Sequence, residues 1–145
     1  MPYQGDGSRE RRSRPRYEGE ADEKRPESLK HSFYSYLNNL IVRTPETIDC
    51  DYIATTQRLI LASLESEPRL RRLVVDLSRL MFIDRFDIER LLEVFKAVHL
   101  MGRSVALCGI QPAIAVLFVQ FNLDLSDCTI TQTLEDLPTI ASRLE

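Results

Sequence analysis

The stretch VVDLSRLMFIDRFDIERLL, Val74–Leu92, decides the fold. Its first residues extend the apolar run of RRLVVDL, which predicts a strand over Leu73–Leu77. The lack of polar alternation there points to cover on both faces, as in a parallel sheet. A second apolar run ends at Asp84, and from Phe86 the spacing becomes helical, with Ile88, Leu91, Leu92, Phe95 and Val98 on one face. A buried strand running through a short loop into an amphipathic helix is the repeating unit of an α/β sheet.

The neighbouring stretches extend this unit in both directions. Ser32–Asp49 holds two apolar-aromatic runs broken at Asn38–Asn39, the pattern of a hairpin or one bent strand. Ile53, Thr56, Ile60 and Leu64 then recur at helical spacing, with Asp51 as the expected N-cap and Glu67–Pro68 as the end. Beyond the Val74–Leu92 unit, Gly102 is placed to end the helix, and SVALCGI reads as a further buried strand. QPAIAVLFVQF is a short apolar helix with proline in its first turn, CTITQ a last strand, and TLEDLPTIASRL a closing helix. The expected order is β-β-α-β-α-β-α-β-α, an α/β mixed sheet with four helices.

Composition divides the chain. Residues 1–30 hold 15 charged side chains, three of the five glycines and three of the seven prolines, so they read as a disordered charged tail. Residues 31–145 then form the domain, with room for a core that needs no disulfide or metal staple. The formal charge is −3 overall, and five arginines cluster between Arg9 and Arg16. The folded part is acidic, which argues against nucleic acid as the main partner. No apolar run has the length of a membrane span, and the N-terminus lacks the apolar core of a signal peptide. Three widely spaced cysteines suit a reducing cytoplasm.

A search for chemistry yields little. Cys50, Cys108 and Cys128 have no zinc-ligand spacing, and Cys108 reads as a buried small hydrophobe. His99 sits near a helix end as a packing or capping residue, and His31 at the edge of the tail. Asp49, Asp51, Asp76, Asp84 and Asp87 gather where strands give way to helices. Paired acids can run acid–base chemistry or hold magnesium. Here they have no histidine, serine nucleophile or glycine-rich loop beside them, and capping accounts for Asp51 and Asp87. The reading is therefore no enzyme, no cofactor and no metal. Arg85, off-pattern at a helix start, is expected to be held by Asp84 or Asp87.

LVVDLSRLMFIDRFDIERLL together with LMGRSVALCGIQPAIAVLFVQFNLDLSDCTITQTLEDL resembles the STAS domain (sulphate transporter and anti-sigma-factor antagonist). Within that family the resemblance is strongest to the small scaffold subunit of bacterial stressosomes, and it runs from about Phe33 to Leu144. Asn122 stands where the family usually has glycine. In that family the position after the Asp that matches Asp84 is usually a Ser or Thr phosphorylated by a partner kinase, and scaffold subunits of the larger type can carry a second phosphorylated Thr after the Asp at the start of the first helix. Arg85 and Cys50 occupy those positions and lack the hydroxyl.

It implies in turn a cytoplasmic protein-interaction module whose surface includes Asp49, Cys50, Asp84, Arg85 and Phe86. Phe118 joins that set because the apolar helix around it has more large side chains than one buried face needs. The implied partners are related STAS proteins, a switch-type serine/threonine kinase or an anti-sigma factor, in an oligomer or large hetero-assembly. Two roles stay open: a stressosome-type scaffold upstream of a sigma factor, or an antagonist that binds an anti-sigma factor without phosphorylation control.

Overall fold

The structure, a computed structural model, describes residues 32–138. The expected tail, residues 1–30, lies outside them. The chain enters through a hairpin of β1 (Phe33–Tyr36) and β2 (Asn39–Arg43), paired antiparallel with Tyr36 opposite Asn39. Leu37 turns the corner at φ 57°, a left-handed conformation that costs an L-residue roughly 1 kcal/mol. The Arg69 guanidinium donates to the Leu37 carbonyl at 2.9 Å and closes the turn from outside.

Then follow α1 (Cys50–Ser66), β3 (Arg72–Asp76), α2 (Arg85–Leu100), β4 (Ser104–Cys108), α3 (Pro112–Gln120) and β5 (Cys128–Thr131). The sheet order is the chain order, β1-β2-β3-β4-β5, and β2 to β5 are parallel. Because the order never reverses, right-handed crossovers must place successive helices on the same face. The main core shows this: Ile53, Ile60 and Leu64 of α1, Ile88, Leu91 and Phe95 of α2, and Ile114 and Phe118 of α3 share one cluster with Leu40, Leu73, Val75 and Leu107 of the strands. On the opposite face Ile41, Val74, Ala106 and Cys108 are buried, with Leu134 and Leu137 packed against them. Every residue of β3 is buried, as the unbroken apolar run predicted.

Three sequence expectations need correction. The cap of α1 is Asp49, whose side chain accepts from the Tyr52 amide, and Asp51 lies in the first turn. Leu92 is only half-buried on α2, and Val94 takes its place in the core. The closing segment does not begin as a helix. Leu134–Asp136 is one 3-10 turn, after which Leu137 is extended at ψ 137°, as suits a residue before proline. Residues 139–145 lie outside the described residues, so the described chain holds three α-helices where four were expected.

The end of the sheet opposite the helix starts is tied by one side chain. Arg103 donates to the carbonyls of Leu70, Met101 and Leu64 at 2.6, 2.8 and 2.7 Å, joining the ends of α1 and α2 to the entry of β3.

Candidate interaction surface

The parallel strands carry every helix start to one end, and that end is built from β3 outward. Asp76 closes β3, almost buried, where it accepts from the Ser78 amide at 3.0 Å and meets Arg43 of β2 at 3.3 Å. The loop that follows is fixed from β4. Leu77 donates to the Cys108 carbonyl, and the Gln111 amide donates to the carbonyls of Ser78 and Leu80. Gly109 makes this approach feasible: it takes φ 74°, and a Cβ there would lie 2.9 Å from that of Ser78.

Asp84 then caps α2, its carboxylate accepting from the Asp87 amide at 2.8 Å, as Asp49 does for Tyr52 on α1. The two starts are neighbours. The Asp87 carboxyl is pushed above the usual carboxylate range by desolvation and by the negative fields of Asp84 and Asp49, with Arg90 opposing. Cys50 is the exposed first residue of α1, whereas burial pushes the thiols of Cys108 and Cys128 up to about 11.

Arg85 opens α2 with its side chain 61% exposed. Neither Asp84 nor Asp87 holds it, and the Asp84 carboxylate is engaged as the cap. Arg85 pairs instead with Glu89 one turn on, Nε to carboxylate 3.1 Å, and its guanidinium lies 5.6 Å from the centre of the Phe121 ring at the end of α3. It thereby spans the head of a cleft of about 350 Å³ that runs between α2 and the segment leading to β5, lined by Leu92, Phe95, His99, Phe121 and Leu123 among others. Asn122, at φ 58°, shapes the far wall and holds the left-handed conformation that glycine would take most easily.

Phe86 is exposed, with Arg90 stacked 5.7 Å from its ring centre. Phe118 is not part of this surface. It lies in the main core, and the outward apolar residues of α3 are Val116 and Val119. Sequence reasoning missed Met81 and Phe82, which are more than half exposed at the same end. The sequence marks LMFI only as an apolar run, and Leu80 and Ile83 alone are buried within it. Among the described residues no three His, Cys, Asp or Glu side chains form a group suited to a metal ion, and no helix is long and apolar enough to cross a membrane.

The model of the STAS domain family matches residues 32–137, which is the whole span of this sheet and its helices up to Leu137. The chain belongs to the STAS domain family. One STAS relative is the RsbT co-antagonist protein RsbRB of Bacillus subtilis, 33% identical over 66 residues. That match covers 46% of this chain and 24% of RsbRB, so the chain spans about a quarter of that relative's length. Among solved structures, a serine-to-glutamate variant of RsbS from Moorella thermoacetica superposes with a TM-score of 0.62 at 25% identity, covering 71% of this chain and 86% of that one. The anti-sigma factor antagonist SpoIIAA in its unphosphorylated form shares the STAS fold, with a TM-score of 0.54 at 14% identity over 71% of this chain and 87% of its own.

Proposed function

We propose that this STAS domain is a non-catalytic protein-interaction subunit, a stressosome-type scaffold in stress signalling upstream of a sigma factor, working without the phosphorylatable hydroxyl of its relatives. The observation that carries the reading is Arg85. At the position the family gives to its phosphorylated Ser or Thr, the chain presents a guanidinium held by Glu89 and by the Phe121 ring. A phosphate at that helix start would bring about two negative charges. Arg85 brings one positive charge and imitates neither the phosphorylated nor the free hydroxyl state. Cys50, at the second such position, likewise offers no phosphate acceptor.

The non-catalytic reading is supported by what the strand-end carboxylates already do. Asp49 and Asp84 cap helices, and Asp76 is tied to Ser78 and Arg43. The likeness to RsbS and to the RsbT co-antagonist protein RsbRB supports the choice of related STAS proteins as partners. A cytoplasmic setting follows from the same reading, as does a partner kinase of the switch type.

The test is light scattering behind size-exclusion chromatography, run on the chain alone and mixed with RsbS- and RsbR-type STAS proteins. The scaffold reading expects self-assembly or a mixed high-mass species, weakened by Arg85→Ala. A chain that stays monomeric, ignores STAS partners and captures an anti-sigma factor is instead the phosphorylation-independent antagonist.

A further inference from the structure

Within the six residues Met81–Phe86, three large apolar side chains stand in solvent: Met81 63%, Phe82 58% and Phe86 63% exposed. Their backbone is fixed. The amides of Met81 and Phe82 both donate to the Glu46 carbonyl, Phe82 forms a parallel bridge with Thr47, and Ile83, the next residue, is fully buried. A backbone pinned in this way needs no ordering of its own when something covers its side chains, which favours binding. Aromatic groups displayed in this way are the usual energetic centres of interfaces.

The surroundings of this patch are acidic. The strand-end stretches 44–52 and 79–91 carry six carboxylates against three guanidinium groups. Two of those guanidiniums are engaged, Arg85 with Glu89 and Phe121, and Arg90 with the ring of Phe86. Asp51 and Asp84 are exposed, and at Asp87 the negative fields of Asp84 and Asp49 outweigh the opposing charge of Arg90. Such a field repels nucleic acid and anionic lipid and attracts cations.

We propose that this face docks a cationic amphipathic segment of a partner protein, with apolar side chains seated on Met81, Phe82 and Phe86 and arginine or lysine reaching Asp49, Asp51 and Asp87. The proposal names the chemistry of the partner for the interaction-subunit reading and rests on that reading for its biological setting. Its centre is the apolar triad, one step away from Arg85.

The experiment titrates the full chain with a short synthetic peptide of alternating leucine and arginine and follows backbone amide shifts. Peptides with glutamate for arginine, or serine for leucine, are the controls. The expected result is binding of the leucine–arginine peptide alone, with shifts centred on Met81–Asp87. Affinity should fall roughly tenfold or more in the double variant Phe82→Ser, Phe86→Ser and by a smaller factor in Asp51→Lys, with circular dichroism confirming that each remains folded. Equal binding of the glutamate peptide, unchanged affinity in the double variant, shifts centred on the cleft beside Phe121, or no binding at all would each overturn the proposal. A chain that joins STAS partners yet ignores the peptide overturns the docking proposal and leaves the scaffold reading standing. Peptide binding without STAS assembly does the reverse.

Discussion

At the scale of single residues, Arg85 stands where the helix dipole favours negative charge, and its two neighbours soften that mismatch without removing it. An exposed ion pair one turn apart contributes only a few tenths of a kcal/mol. Arg85→Ala should therefore change unfolding free energy by less than about 1 kcal/mol, measured by urea titration, while any effect on assembly is larger. Incubation with a cognate switch kinase and ATP, followed by phosphopeptide mapping, should find no phosphate at positions 50 or 85. The thiols give a second check. With Cys50 exposed and the other two raised to about 11, one cysteine should react quickly with Ellman's reagent in the native protein and two only on unfolding. Sequence placed Arg85 at the surface but misassigned its partner. The i,i+4 pairing with Glu89 was legible, whereas the cap role of Asp84 had to be known before Asp84 could be set aside. Phe121, 36 positions away, comes alongside only through the fold.

At the scale of elements, α3 shows the limit of reading periodicity in a short helix. Nearly every residue of PAIAVLFVQ is apolar, so the pattern cannot say which face is buried. The structure puts Ile114 and Phe118 inward and leaves Val119 79% exposed. Phe118→Ala should cost about 3 kcal/mol or more, and Val119→Ala less than about 0.5 kcal/mol, both by denaturant unfolding. A loss of assembly in Phe118→Ala without loss of stability would contradict the core placement. The hairpin offers a gain: Leu37 is exposed and left-handed, so Leu37→Gly should raise stability by up to about 1 kcal/mol. The proline at the start of α3 and the glycine ending α2 were legible because each rests on a local steric rule, the parallel strands were legible from their unbroken apolar runs, and the hairpin was one of two readings of its stretch. The α1 cap was displaced by two residues because Asp49 and Asp51 both suit the role by composition, and only backbone geometry chooses between them. The 3-10 turn at Leu134 escaped notice for the opposite reason: a helix over TLEDLPTIASRL accommodates Pro138 only near its first turn, and Pro138 instead follows Leu134–Asp136 and holds Leu137 extended.

At the scale of the whole molecule, β3 is the centre. It is paired on both sides and buried along its length, so the amides of Leu73–Val75 should be among the slowest to exchange with solvent, and those of β1, with one neighbour and mostly exposed residues, far faster. The parallel run of β2 to β5 also gives the domain an electrical direction. Each of the three helices among the described residues begins at the same end of the sheet, and each start is equivalent to roughly half a positive elementary charge. Asp49 and Asp84 cap two of them, and the third, capped by Gln111 with no side-chain bond, is left uncompensated. The remaining carboxylates of residues 44–52 and 79–91 more than reverse the sign of that end as seen from a distance. A positively charged partner would then be turned to face this end before contact. Encounter, rather than residence, should feel the ionic strength: added salt should slow association severalfold while leaving the lifetime of the formed complex nearly unchanged.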